Sequence, residues 1–178
     1  TRLLIWSWQD RALEWQSPPI VKGAAGYDRC TVQNMDEDPA LEIIVYLGEC
    51  RQSPFEISAV KVYDGQSHAL QWELVSGATT RYQTHRRPDQ YLANDSGTEL
   101  LLEYRKTDES GWNSTGLLLL SGSNGSLLWN VSTAGNFSNP EFGDTDGDGG
   151  TDILVSGRSG DYPSSFNYTF EIFDLGLR

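Results

Sequence analysis

The sequence predicts an all-β fold of about three four-stranded antiparallel repeats, and three observations favour it. The chain of 178 residues contains 18 glycines, six tryptophans, eight tyrosines and one methionine, a composition typical of turn-rich β proteins rather than helical bundles. Short apolar runs alternate with turn residues, and no helical pattern lies between them. Two kinds of run also recur with a common spacing near 57 residues, which indicates an internal repeat.

The first recurring element is a hairpin that ends in a tryptophan. The hairpin tryptophans follow one another at intervals of 57 residues, and they are Trp15, Trp72 and Trp129. Nine residues before each of them an apolar run closes, at Trp6, Tyr63 and Leu120. Because turn residues separate each run from its tryptophan, this arrangement predicts a strand, a turn and a second strand in every repeat.

The second recurring element is an apolar strand that begins with an acidic residue. These strands begin at Glu42, Glu99 and Asp152, with spacings of 57 and then 53 residues. The last apolar run, 170–174, follows the third hairpin strand by the same 53 residues. We therefore predict one repeat domain with units at about 1–57, 58–114 and 115–167, and an extra strand at 168–178.

Each unit has room for four strands. In the first unit we expect them near 2–6, 12–16, 27–33 and 42–48. Four-stranded repeats of roughly this length are typical of propeller blades. A unit this small buries both faces of its sheet only by stacking on a neighbour, so the repeats should pack in series.

An acidic loop in the third unit has the spacing of a calcium site. Asp144, Asp146, Asp148 and Asp152 offer carboxylates at positions 1, 3, 5 and 9, and Gly150 offers its carbonyl at position 7. Ca²⁺ takes six to eight oxygens and tolerates irregular geometry. The interleaved glycines permit the positive φ angles that such a curled loop needs. A solvated acidic turn is the alternative.

The loop differs from an EF-hand, because position 12 is Val155 where that motif needs a bidentate glutamate.

The first unit contains a second version of this loop, displaced by 110 residues. Its five candidate ligands are Asn34, Asp36, Asp38, the Ala40 carbonyl and Glu42. Pro39 replaces a glycine and cannot adopt a positive φ, so we expect a weaker site here. The matching positions of the middle unit hold too few acids for a metal site, and they are Tyr91, Ala93, Asp95, Gly97 and Glu99.

The segment 142–155 resembles an FG-GAP repeat, as found in the β-propeller of integrin α subunits. The resemblance implies that the loop joins the first two strands of a blade and binds Ca²⁺ through Asp144, Asp146, Asp148, Gly150 and Asp152. The tryptophan hairpin is similar to the blades of quinoprotein-like propellers, and this similarity rests on the glycine and tryptophan residues alone. Integrin propellers have seven blades, whereas this chain holds about three.

Asparagine and cysteine predict an extracellular or cell-surface glycoprotein. Six of the eight asparagines begin N-x-[ST] sequons, where chance would give roughly one, and these are Asn94, Asn113, Asn124, Asn130, Asn136 and Asn167. The alternative is turn composition, because asparagine and serine both favour turns. The two cysteines, Cys30 and Cys50, predict one disulfide, with two buried free thiols as the alternative.

Charge and motif content exclude several function classes. The net charge of −12 argues against nucleic acid and anionic membranes as partners, and no apolar run is long enough for membrane insertion as a helix. The two histidines, His68 and His85, lie in different units, so no histidine metal site or catalytic triad is evident. We therefore expect a non-enzymatic, calcium-binding structural or cell-adhesion module.

The rival is a carbohydrate-binding or carbohydrate-active propeller, for which Trp8 and Trp112 are the candidate exposed aromatics.

The number of repeat units and the extra strand at 168–174 predict a homo-oligomer. Three units are too few to close a propeller, which typically has four to eight blades. The strand at 168–174 is apolar and lacks its hairpin partner, so it would be an exposed edge. We expect it to meet the N-terminal hairpin, 2–16, of another subunit, which gives a closed oligomer or an open surface filament. The alternative is a piece of a larger single-chain adhesion propeller.

Overall fold

The structure is a computed structural model, and it describes residues 2–20, 29–36, 38–49, 56–77, 80–83, 91–93, 98–107, 113–133, 136–159 and 167–175. Within these ranges every regular element is a β-strand. The described residues therefore contain no helix that is long and apolar enough to cross a membrane. Several residues singled out by the sequence lie outside the described residues, namely Cys50, His85, Asn94, Asp95, Gly97 and Trp112.

The described residues form fourteen strands. Their bounds are β1 (Leu4–Ser7), β2 (Ala12–Gln16), β3 (Arg29–Gln33), β4 (Glu42–Glu49), β5 (Glu56–Tyr63), β6 (Leu70–Val75), β7 (Thr80–Gln83), β8 (Tyr91–Ala93), β9 (Thr98–Thr107), β10 (Asn113–Leu120), β11 (Leu127–Thr133), β12 (Asn136–Gly143), β13 (Asp152–Ser159) and β14 (Asn167–Asp174). The first four agree with the expected strands to within two residues, because alternating apolar residues and flanking turn residues mark them clearly.

All pairings are antiparallel and form three sheets, of which we divide the largest in two, so that four consecutive groups of strands result. The N-terminal hairpin is β1–β2, and the C-terminal sheet is β12–β13–β14. Between them, β3–β6 form the first meander and β7–β11 the second meander. A short pairing of β5 with β7 joins the two meanders into one nine-stranded sheet. The predicted all-β, antiparallel class is therefore confirmed.

The pairing registers reproduce the 57-residue period. Each hairpin tryptophan lies opposite an equivalent residue of the preceding strand, in the pairs Trp15–Ile5, Trp72–Val62 and Trp129–Leu119. The register shifts directly after that partner in all three hairpins. Each hairpin turn also contains one residue with positive φ at the same place, namely Arg11, His68 and Gly125. The three hairpins are thus structural copies.

The hydrogen-bonded groups begin half a repeat later than the units counted from the sequence. Position 57 lies inside β5, and position 114 lies inside β10. The groups begin instead at β3, β7 and β12. The second hairpin therefore belongs with β3 and β4, and the third with β7, β8 and β9. The N-terminal hairpin consequently corresponds to the second half of a group, and the C-terminal sheet to its first three strands.

Three apolar clusters join the four groups in series. The N-terminal hairpin packs through Leu3 and Trp15 on Val45, Leu47 and Ala59 of the first meander. A second cluster joins the two meanders, with residues Met35, Ile44, Tyr46, Ile57, Val60, Val62, Trp72, Tyr82, Leu100, Leu102 and Leu120. The third cluster joins the second meander to the C-terminal sheet, with residues Leu101, Leu117, Leu119, Ile153 and Val155. Alternating residues of one strand therefore contact different neighbours.

Glu103 is an acidic residue in this apolar setting. It is buried on β9 opposite Leu117, which belongs to the third cluster. Burial raises the pKa of the Glu103 carboxyl, and the nearby Arg105 guanidinium partly opposes that rise.

We expect Glu103→Gln to stabilise the protein at neutral pH and to have little effect in acid. Since the folded-state pKa of Glu103 is raised, its contribution to stability is full below the unfolded-state pKa and is lost as the pH rises through the folded-state pKa. Glutamine removes that loss. Urea unfolding across the acidic to neutral range measures the difference, with the exposed Glu14→Gln as control. A difference that does not change with pH would refute the assignment.

Candidate metal centre

Two acidic loops join antiparallel strands in the same register. The first acidic loop, 34–42, connects β3 to β4 after the pair Gln33–Glu42. The second acidic loop, 144–152, connects β12 to β13 after the pair Gly143–Asp152. The two loops therefore begin and end at equivalent points of their hairpins, as their common spacing predicts.

The first acidic loop brings three carboxylates together. One oxygen each from Asp36, Asp38 and Glu42 lies within 4.8 Å of the others. The amide nitrogen of Asn34 donates to the Asp38 carbonyl at 2.8 Å, which closes the loop. Backbone N–H groups of Asp38 and Ala40 donate to Asp36 Oδ1 at 2.9 Å and to Asp38 Oδ1 at 2.7 Å. Three negative charges are thus held close by the fold of the loop itself.

Glu42 is the distinctive member of this cluster. Its side chain is 0 % exposed, and Oε2 accepts a hydrogen bond from the Met35 N–H. Within the described residues, Oε1 of Glu42 and Oδ1 of Asn34 are buried and have no hydrogen-bond partner. Burial raises the pKa of Glu42, the Met35 hydrogen bond opposes the rise, and Asp36 and Asp38 add to it. Buried oxygens without donors are costly, and a hard cation bound by the three clustered carboxylates would satisfy Glu42.

The second acidic loop has the predicted curl but a more open arrangement. Asp144, Asp146 and Asp148 each bring one oxygen within 4.8 Å of the others, and all three are exposed. Gly147 and Gly149 adopt φ values of 81° and 86°, which confirms the expected role of the two glycines. Their N–H groups donate to Asp144 at 2.6 and 3.0 Å. These hydrogen bonds fix the curl of the loop around Asp144.

Asp152 lies apart from the other carboxylates of the second loop. Its Oδ2 accepts hydrogen bonds from the hydroxyl and from the N–H of Thr145, and both lower the pKa of Asp152. The Thr145 N–H bond matches the Met35 bond to Glu42. Because aspartate is one methylene shorter than glutamate, the bonded Asp152 does not reach the cluster. Gly150, whose N–H donates to Asp148 at 2.6 Å, is buried.

The geometry therefore favours the first acidic loop over the second, the reverse of the order that the glycines suggest. Both loops are internally hydrogen-bonded, but the first contains the buried glutamate and the oxygens without partners, whereas the three clustered carboxylates of the second are exposed. In the middle repeat, β8 pairs directly with β9 through Ala93 and Thr98, and residues 94–97 between them lie outside the described residues.

Residues distant in sequence support the first acidic loop. Gln71 on β6 donates from Nε2 to Asp36 Oδ2 at 2.8 Å. Met35 is fully buried between the two meanders, beside Gly122 of the next hairpin turn. Trp72, next to Gln71, donates from Nε1 to the Gly122 carbonyl at 2.6 Å. The loop therefore lies where the two meanders meet. Sequence reasoning missed Gln71, Met35 and Gly122, although the first directly precedes a hairpin tryptophan.

Five of the six sequon asparagines are among the described residues, and they lie on strands and in a turn. Asn124, in a hairpin turn, and Asn130, on β11, are exposed, as glycosylation requires. Asn113, Asn136 and Asn167 begin strands β10, β12 and β14.

The predicted Cys30–Cys50 disulfide stays a prediction, because Cys50 lies outside the described residues. Cys30 is exposed on β3 and lies opposite Val45 of β4.

Comparison with protein-family models, with curated proteins and with solved structures found no match to this chain.

Proposed function

We propose that this chain is a non-enzymatic, extracellular, calcium-binding β-repeat module with a structural or adhesive role. The observation that carries the proposal is Glu42, a fully buried carboxylate with one oxygen lacking a hydrogen-bond partner, grouped with Asp36 and Asp38. Leaving three carboxylates together in this setting is unfavourable unless a cation neutralises them. A bound cation would therefore stabilise the folded chain.

Calcium fits the donor set better than other common ions. The candidate ligands are oxygens alone, from Asp36, Asp38, Glu42, the Asn34 amide and the Ala40 carbonyl. Zinc prefers nitrogen and sulfur ligands, and magnesium demands a near-ideal octahedron. Extracellular calcium modules bind at about 10⁻⁴ to 10⁻³ M, which suits a partly exposed loop. The second acidic loop is a further, weaker calcium site in this proposal.

The serial packing of the four groups supports a structural role. Each group buries a face only against the next group, as in repeat proteins. The hairpin tryptophans lie at these junctions, with Trp72 buried and Trp15 and Trp129 half-buried. In the proposed architecture the groups are propeller-type blades of the FG-GAP kind, and calcium in the first loop fixes the junction that contains Met35.

Exposed sequons support the extracellular part of the proposal. Asn124 and Asn130 lie on the surface of one hairpin, where a glycan would not disturb a packed face. A glycosylated, self-assembling coat or filament is the form that we propose for the whole protein.

A carbohydrate-binding module is the second candidate, because Trp8 is 91 % exposed in the turn of the N-terminal hairpin. Exposed aromatic rings offer a flat apolar surface on which a sugar can stack. A glycan array probed with wild type and Trp8→Ala distinguishes the two. Binding that disappears with Trp8 would favour the carbohydrate candidate.

We expect calcium to raise the melting temperature of wild type by about 5 to 10 °C, because a ligand at 100 times its Kd adds about 2.7 kcal/mol to the folded state. In Glu42→Gln the gain from the first loop should disappear. In the presence of a chelator, Glu42→Gln should melt at a higher temperature than wild type. Glutamine avoids burying an unneutralised carboxylate and still accepts from the Met35 N–H. Differential scanning calorimetry measures both conditions.

The exposed Glu14→Gln is the matched control, and it should respond to calcium as wild type does. The calcium assignment fails if Glu42→Gln gains as much from calcium as wild type. Asp146→Ala, in the second acidic loop, should remove a smaller part of the gain.

A further inference from the structure

The two ends of the series of groups expose apolar faces. On the C-terminal sheet, Phe170 is 74 % and Ile172 58 % exposed, and the half-buried Leu154 lies opposite Ile172. On the N-terminal hairpin, Leu4 and Trp6 are exposed on the side away from Trp15. We call these the C-terminal face and the N-terminal face. Scattered apolar residues on a surface are ordinary, so what matters is their place in the repeat.

The C-terminal face is equivalent to faces that are buried elsewhere in the chain. Leu154 pairs with Ile172 as Ile44 pairs with Val62 in the first meander and as Leu101 pairs with Leu119 in the second. The two earlier pairs are buried, because the next group in the series covers them. The C-terminal face thus has the side-chain pattern of a covered face, but no group within the described residues covers it.

The N-terminal face is equivalent to the surface that supplies such a cover. Trp6 occupies the repeat position of Tyr63, Leu120 and Phe173. Tyr63 and Phe173 each contact the hairpin tryptophan of the preceding group, with ring centroids 5.9 Å from Trp15 and 5.3 Å from Trp129. Tyr63 is consequently 6 % exposed, whereas Trp6 is 61 % exposed.

We infer that the N-terminal face of one copy stacks on the C-terminal face of a second copy, which continues between chains the packing that already joins groups within the chain. The inference names the partner for the structural role proposed above and rests on that role. Opposite charges beside the two faces support a contact between unlike faces. Exposed Arg2 lies beside the N-terminal face, and exposed Glu141 lies opposite Leu154 on the C-terminal face.

Stacking of faces is favoured over pairing of strand edges. Strands β1 and β14 occupy the same position of the repeat. To take the place beside β14 that β6 takes beside β5, strand β2 would therefore have to leave β1. Face stacking keeps the N-terminal hairpin intact. The contact joins two different surfaces, so it is heterologous and gives a ring if the rotation closes and a filament if it does not.

Mixing of two variants tests the inference. Trp6→Glu places a negative charge against Glu141 and blocks the N-terminal face, while Ile172→Arg places a positive charge against Arg2 and blocks the C-terminal face. By sedimentation velocity at micromolar concentration, we expect wild type to assemble and each variant alone to be a monomer. An equimolar mixture should associate at least into one-to-one dimers, because each variant retains the face that the other lacks. The opposite charges of the two altered faces can extend the assembly further.

Trp8→Glu is the matched control, with the same substitution two residues away in the turn, and it should assemble as wild type does. A monomeric wild type, continued assembly of either variant, or a mixture that stays monomeric would each overturn the inference. Calcium binding is measured on the same samples. A monomer that binds calcium overturns the stacking alone, and an assembly that binds none overturns the calcium proposal alone.

Discussion

Replacing Gly122 by alanine should destabilise the protein by at least about 3 kcal/mol, because the added methyl group has no space. A Cβ at Gly122 would lie 1.9 Å from the Thr98 carbonyl oxygen and 2.5 Å from the Met35 carbonyl oxygen. Both atoms belong to the backbone, and Met35 is fully buried at the junction of the two meanders. The turn would have to leave the junction, and the hydrogen bond from Trp72 would be lost with it.

Gly77→Ala is the matched control, since a Cβ there would meet nothing within 4 Å. It should change the free energy of unfolding by less than about 1 kcal/mol. Gly65→Ala should repeat the Gly122 effect in direction, because its Cβ would lie 2.0 Å from the Leu41 carbonyl oxygen at the equivalent place of the first meander. Urea unfolding measures all three variants. Equal stabilities of Gly122→Ala and Gly77→Ala would show that the turn does not pack as described.

Trp72→Ala should cost about 3 to 5 kcal/mol, the range for removing a large buried aromatic side chain. Trp72 is buried in the cluster that joins the two meanders, and its Nε1 donates to the Gly122 carbonyl. Trp72→Phe separates the two contributions, because it keeps most of the apolar packing and removes the donor. We expect this variant to lose about 1 to 3 kcal/mol.

Trp8→Ala is the control for this series and should stay within about 0.5 kcal/mol of wild type, because its ring is 91 % exposed. Denaturant unfolding of Trp72→Ala, Trp72→Phe and Trp8→Ala should therefore give three separate values. If Trp72→Ala and Trp8→Ala have the same midpoint, Trp72 does not join the meanders.

The hairpins could be predicted because their signals are local. Alternating apolar residues, turn residues and a tryptophan at a fixed distance define Leu4–Ser7, Leu70–Val75 and Leu127–Thr133 without knowledge of their neighbours. The phase of the groups was not predictable in this way. A strand such as β5 has the same sequence whether it begins a unit or lies third in one, and only its hydrogen bonds with β4 decide.

The two acidic loops were also found from spacing alone, but their relative quality was not. Which loop is the better metal site depends on the burial of Glu42 and on Thr145, whose hydroxyl donates to Asp152. Glu42 accepts from the N–H of Met35, and Met35 is buried beside Gly122, which lies far away in the sequence. The cysteine pairing stays a prediction, because Cys50 lies outside the described residues.

The most direct test of calcium binding at the first acidic loop is isothermal titration of chelator-treated protein with calcium. We expect wild type and Glu14→Gln to give the same isotherm, and Glu42→Gln to lose one binding event while retaining the weaker one of the second loop. Identical isotherms for wild type and Glu42→Gln, or a wild type that releases no calcium-dependent heat, would contradict a calcium site at Asp36, Asp38 and Glu42.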